Sequence, residues 1–392
     1  MKLAFICTEK LPSPSVKGGA IQMMIDGVSP YLSQNYQLTI FSVTDPTLPE
    51  YEVRNGVEYI RVPQENYAVN IVKKLSNRSF HIIHVFNRPL NIPLYKKASP
   101  SSQFILGLHN DMLAEKKVPK EKGQEIVKAV KRIVTVSDYI KRTVLDRFPE
   151  AKSKIKVVYS GVDLQEYPPV WTDEGKNIRN EYRKKYNIEN KKVILFVGRI
   201  TKNKGPHFLI AAFKAIARRH PDAVLVITGG KWFSDNGIND YIRYLRKLAE
   251  PLGNKVIFTK FIPASEIPNI FLMSDMFVCP SQWQEPLARV HYEAFAAGIP
   301  VITTNRGGNA EVVSHKETGY IIDEYQRVSE FAKGMHFYLT NPDAVERITK
   351  KARAFVESNF QFHHVAGRLT DVYEELKPKR KEPFIHRLFD RS

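Results

Sequence analysis

The chain has 392 residues, 43% hydrophobic and 26% charged, which is enough apolar material for two cored domains and excludes a disordered polymer. A formal net charge of +18 attracts phosphates, anionic surfaces and nucleic acid alike, but the basic residues are scattered, as at Lys116-Lys117 and Arg218-Arg219, with no nucleic-acid motif beside them. A solvated basic face is the simpler reading. No run of about 18 apolar residues exists to cross a bilayer, and the first nine residues meet charge too early for a secretory leader. Cys7 and Cys279 fall in different halves, as small buried hydrophobes, and a cytoplasmic protein is expected.

An apolar strand over residues 2–8 leads through a loop ending in Gly18-Gly19 to helical spacing over 20–32. Strand-like runs recur at 37–43, 57–62, 81–86, 104–109, 133–136 and 156–159, with helical stretches between several of them, such as 139–147. This alternation predicts an α/β fold with a mostly parallel sheet covered on both faces. Ligands in such sheets bind beyond the carboxyl ends of the strands, which puts Gly18, Gly19 and His109 on the ligand edge. Taken singly, a Gly-Gly pair is a turn and a strand-end histidine is structural.

Ser160-Gly161-Val162-Asp163 closes this first unit, and residues 166–191 shift to prolines and charge, reading as a linker with a short basic helix. A second α/β pattern restarts at residue 192. Its strands are expected at 192–199, 223–228, 255–259, 276–279, 301–304 and 320–322, and its helices at 207–219, 239–250, 267–273 and 289–297. Beyond residue 328 the spacing is helical throughout, ending in a basic tail. The division is therefore a first domain over 1–165, the linker over 166–191, a second domain over 192–360, a last helix over 361–376 and a tail over 377–392.

The stretch from Pro280 to Val313 concentrates the chemistry. Glu285 stands in a polar loop, and Glu293, eight residues on, in a helix expected to open near Leu287 and close at Gly298. The next strand runs into Gly307-Gly308, after which a helix or turn is expected near Ala310-Glu311. Two helix starts beside a glycine pair would present N–H groups to phosphate oxygens. Arg199 and Lys204, at the same sheet edge, add fixed positive charge, so that a pyrophosphate could be held without a metal. No Asp-x-Asp occurs, nor a Gly-x-x-x-x-Gly-Lys-Ser/Thr run. Glu293 suits the vicinal hydroxyls of a ribose. The competing readings are a surface salt bridge for the acids and solvated loop charge for Arg199 and Lys204.

Glu285-x7-Glu293, flanked by Pro280-Ser281 and by Gly307-Gly308-x-x-Glu311, resembles the retaining GT-B glycosyltransferases of family 4. Gly18-Gly19, His109, Val136-Ser137, Gly161-Val162-Asp163, Gly198-Arg199, Lys204-Gly205 and Gly229-Gly230 spread the resemblance over nearly the whole chain. The phrases FICTEKLPSP, HVFNRP and GGKWFSD are similar to the spore-coat-associated branch of that family in endospore-forming bacteria. The resemblance implies two Rossmann-like domains facing a cleft, with the last helix crossing back to the first domain. It implies retaining, metal-independent hexosyl transfer from a nucleotide-sugar donor, a UDP-sugar slightly favoured, with no cofactor. The acceptor would be a glycan, a lipid-linked glycan or a protein, in spore-coat or cell-envelope polysaccharide formation. Coat proteins and an anionic surface are the further partners implied, and deposition in the spore coat the further location.

Residue by residue, the resemblance gives Arg199 and Lys204 the leaving diphosphate, Glu293 the ribose and Glu285 the donor-sugar hydroxyls. It places His109 beside that sugar, and Gly18, Gly19, Gly198, Leu287, Ala288, Gly307, Gly308 and Ser137 around the donor. Where the family often has Phe-Gly-Leu after Glu285-Pro286, this chain has Leu287-Ala288-Arg289, adding bulk and charge. The alternatives are a coat component that keeps the fold without turnover, and a nucleotide-sugar epimerase.

Overall fold

The computed structural model describes residues 1–230 and 237–377. Residues 231–235 of the GGKWFSD phrase and the tail beyond Lys377 lie outside the described residues. The first sheet contains β1 (Lys2–Ile6), β2 (Gln37–Val43), β3 (Tyr51–Arg54), β4 (Val57–Val62), β5 (Ile82–Phe86), β6 (Gln103–Leu108), β7 (Arg132–Thr135) and β8 (Ile155–Val157). Their order is β3-β4-β2-β1-β5-β6-β7-β8, parallel except for the β3–β4 pair. The inner strands read as unbroken apolar runs because helices cover both faces; every residue of β5 is buried.

Strand β3 is absent from the sequence reading. Its residues are mostly exposed, so no alternation marks it, and it forms because Asn55 and Gly56 both take positive φ, at 52° and 76°, turning the chain into a hairpin with β4.

The second sheet is wholly parallel, in the order β11-β10-β9-β12-β13-β14. It comprises β9 (Lys192–Val197), β10 (Ala223–Thr228), β11 (Val256–Lys260), β12 (Met276–Cys279), β13 (Val301–Thr304) and β14 (Tyr320–Ile322). In each sheet the strand order reverses once, at β1/β5 and at β9/β12, the position beyond which ligands of such sheets bind.

Helix Asp173–Lys185, in the segment read as a linker, is tied to the second domain: Arg179 and Arg183 reach the two oxygens of Asp275 at 2.6 and 2.7 Å. The last helix, Phe362–Glu374, packs on the first domain. Val162 pairs with Gln361 in a parallel bridge, the Tyr373 hydroxyl meets His84 Nδ1 at 2.9 Å, and Tyr36 donates to Glu374 at 2.7 Å. Among the described residues, no helix is long and apolar enough to cross a membrane.

Candidate active site

The loops after β9, β12 and β13 lock together at the strand-order reversal of the second sheet. After β9 the chain passes Gly198, Arg199 and a turn of 3-10 helix, Lys202–Lys204, before helix Pro206–Arg219. Gly205, at φ 72°, joins the two helices and lies so close to the β12 loop that a Cβ there would stand 2.0 Å from the Pro280 carbonyl oxygen. Gln282 N donates to the Asn203 carbonyl at 2.8 Å. Arg199 is half-buried, and its backbone carbonyl accepts from Thr201 N at 3.0 Å.

This interlock carries Lys204 to Glu285. Lys204 Nζ lies 2.5 Å from Glu285 Oε1, and Ser281 Oγ donates to the same oxygen at 2.6 Å. Glu285 is 3% exposed. Burial pushes its carboxyl upward, but the Lys204 ammonium and the Ser281 hydroxyl outweigh that and hold it below the usual carboxylate range. The result is an ionised acid with one oxygen committed and an ammonium with two further N–H donors.

The glycine pair is built differently from the sequence reading. Gly308 N donates to the Glu285 carbonyl at 2.8 Å and Gly307 N to Gln284 Oε1 at 2.6 Å, so neither is a free donor. Gly307, at φ 60°, is there for close approach: a Cβ would stand 2.0 Å from the Glu285 carbonyl oxygen. The segment after it is a single 3-10 turn, Asn309–Glu311. The expected helix opening near Leu287 also begins later, as Val290–Ala297. Leu287 instead packs between the cores of both domains, and Ala288 N points to Asn309 Oδ1 at 3.4 Å. Asn309 is fully buried and its Nδ2 has no protein partner.

Glu293 stands apart from the Lys204–Glu285 pair. Its carboxylate faces Arg289 Nη2 at 3.6 Å, one turn back on the same helix. Burial pushes the Glu293 carboxyl up; Arg289 opposes this and Glu166 adds to it. Arg289 also reaches Ser160 Oγ of the first domain at 3.4 Å and lies over the Phe362 ring.

From the first domain, His109 follows β6, its backbone N–H donating to Asn87 Oδ1 at 2.8 Å and its ring lying near Phe86. Burial, aided by the Arg289 charge, lowers its pKa to about 4, leaving a neutral ring with one donor and one acceptor. Gly18 and Gly19 precede helix Ala20–Leu32, whose first turn has neither an acidic residue nor a side-chain cap, and space is open off Gly18. Ser137 uses its hydroxyl to accept from Ile140 N at 3.2 Å, capping helix Asp138–Arg147. Its Cβ would lie 3.0 Å from a Cβ on Gly308, so the two domains meet there. Ser281, Gln284 and Asn309 are site residues that sequence reasoning missed, since each acts through a partner fixed only by folding. Among the described residues, no cluster of three acidic, histidine or cysteine side chains could hold a metal ion.

The sequence profile of Glycosyltransferase Family 4 matches residues 21–166, and that of Glycosyl transferases group 1 matches residues 178–355. The chain is 58% identical to YtcC of Bacillus subtilis (strain 168) over 396 aligned positions, covering 100% of this chain and 97% of that one. It is 45% identical to Spore coat protein SA of the same organism over 375 positions, covering 96% and 100%. The structure of Anabaena Alr3699/HepE in complex with UDP-glucose matches with a TM-score of 0.77 at 20% identity, over 96% of this chain and 100% of that one. Sucrose-phosphate synthase from Thermosynechococcus elongatus matches with a TM-score of 0.79 at 20% identity, over 96% and 99%. At that identity the solved structures speak for the fold alone. The two profiles and the end-to-end likeness to the Bacillus proteins show that the chain belongs to the family 4 glycosyltransferases, with their two-domain GT-B fold.

Proposed function

We propose that this glycosyltransferase moves a hexosyl unit from a nucleoside diphosphate sugar, a UDP-sugar first, to a glycan, lipid-linked or protein acceptor, with retention and without a metal. The observation that carries this reading is the ion pair of Lys204 with the buried Glu285 at the strand-order reversal of the second sheet. A diphosphate beside Lys204 meets a cation whose direction is already fixed, the preorganisation that favours charge developing on a leaving group. The ionised Glu285, committed on one oxygen, accepts sugar hydroxyls on the other. Glu293 exchanges its Arg289 contact for ribose hydroxyls, and the neutral His109 hydrogen-bonds the sugar.

In the retaining step the acceptor oxygen bonds to the anomeric carbon on the face the diphosphate leaves. The bond from that carbon to the β-phosphate oxygen breaks, and the acceptor proton passes to the leaving phosphate. That the HepE structure holds UDP-glucose supports a UDP-sugar, and the likeness to Spore coat protein SA supports a product in the spore coat. A purely structural coat role gives no reason to keep a buried ion pair, which costs desolvation on both charges.

The test is calorimetry of UDP, GDP and ADP in EDTA, on wild type and Glu293→Ala. One nucleotide should bind with a Kd of about micromolar, weakened roughly tenfold in the variant through the lost hydrogen bonds. Proton NMR of the product should then show the donor's anomeric configuration. No binding with or without magnesium would remove the enzyme reading.

A further inference from the structure

Glu311 lies on the second domain, three residues past Gly308, where its backbone N–H donates to the Gly308 carbonyl at 3.0 Å, yet the described partners of its carboxylate all belong to the first. Its Oε2 accepts from Asp138 N at 2.8 Å and from the Tyr159 hydroxyl at 3.1 Å. Its Oε1 accepts from Tyr139 N at 2.6 Å, with Arg142 Nη2 at 3.7 Å. Asp138 and Tyr139 open helix Asp138–Arg147, so these are the orphan N–H donors at its positive end. Ser137 satisfies the next donor, Ile140 N. A helix start that would otherwise attract a ligand anion is thus filled by a carboxylate from the opposite domain, in a side chain only 14% exposed. The side-chain contact of Arg289 with Ser160, at 3.4 Å, is longer and single.

We propose that Glu311 is a positioning residue that holds the two domains in the closed register needed for transfer. The Gly308 N–H links its 3-10 turn to the Glu285 carbonyl, so fixing Glu311 against the first domain also fixes the Glu285 loop against it. The inference rests on the donor-site reading above, in which the nucleotide contacts (Arg199, Lys204, Glu293) all lie on the second domain. Losing Glu311 should therefore cost turnover, where both domains must meet, and spare nucleotide affinity, where one suffices.

The test places spin labels at Lys128→Cys and Arg219→Cys, exposed positions on the two domains, the native Cys7 and Cys279 being buried. Pulsed EPR gives the interdomain distance for wild-type, Glu311→Ala and Glu311→Gln backgrounds, with UDP affinity and UDP-glucose turnover measured on the same unlabelled variants. In Glu311→Ala the distance distribution should broaden and shift outward and turnover should fall about tenfold or more, while the UDP Kd stays within about twofold. Glu311→Gln keeps an acceptor oxygen for the helix amides and should recover most of both. An unchanged distance in Glu311→Ala overturns the proposal, as does a loss of UDP affinity as large as the loss of turnover. Should wild type bind no UDP, the donor reading fails on that nucleotide, while the distance shift still decides the role of Glu311.

Discussion

Lys204 and Glu285 illustrate why removing half of a buried pair differs from removing both. Glu285 is 4% exposed and Lys204 21% exposed at the side chain, so each has given up most of its water for the other and for Ser281. Lys204→Met should leave an uncompensated carboxylate and destabilise the protein by about 3–5 kcal/mol. Lys204→Met with Glu285→Gln should regain at least half of that loss, because the amide is neutral and still bonds Ser281. Urea unfolding at pH 7 reads both. A double variant no more stable than the single one would mean that Glu285 draws its support from elsewhere. The same logic explains why Glu293, whose nearest cation stands at 3.6 Å, sits above the usual carboxylate range while Glu285 sits below it.

Helix Phe362–Glu374 shows an element whose place rests on one small residue. Gly27, inside helix Ala20–Leu32, faces the Phe362 ring so closely that a Cβ would stand 2.4 Å from three of its carbons. Helix propensity favours Gly27→Ala by about 1 kcal/mol, yet overpacking a filled contact costs about 1–3 kcal/mol. Gly27→Ala should therefore lower the unfolding midpoint, and Phe362→Leu in the same chain should relieve part of the loss; a raised midpoint for the single variant would refute the contact. Elements of this kind mark where sequence reading stops. Buried parallel strands such as Ala223–Thr228 and Met276–Cys279 are legible to the residue, because an apolar run bounded by polar turns is a local signal. The helix start at Val290 is not legible, since Leu287 and Ala288 continue the apolar spacing and are pulled away only by two cores and Asn309. Nor is the role of Glu311, whose amide partners are 172 and 173 residues away and which is visible in the sequence only as the end of a motif.

At the scale of the whole molecule, both domains are built around histidines that burial keeps neutral, and this ties their stability to pH in the same direction. Burial lowers His84 to about 3; it lowers His109 to about 4, with help from Arg289. His291, in the second domain, falls to about 4 through burial and is held between the Ala288 carbonyl, which takes the Nδ1 proton, at 2.9 Å and Thr303 Oγ1 at 2.8 Å. In the unfolded chain each titrates near 6.5. These are depressed folded-state values, so the stability they contribute is complete above about pH 6.5 and is lost as pH falls toward 4, where the unfolded chain binds protons that the native one refuses. The slope is about 1.4 kcal/mol per pH unit for each histidine, or about 4 kcal/mol per unit for the three together. The urea midpoint should hold steady from pH 8 to 7 and then fall steeply between pH 6 and 4.5. His84 couples this to domain arrangement, because its Nδ1 meets Tyr373 on the helix that returns from the second domain. A midpoint unchanged between pH 7 and 5 would show that the native protein takes up those protons and that the histidines are not held neutral.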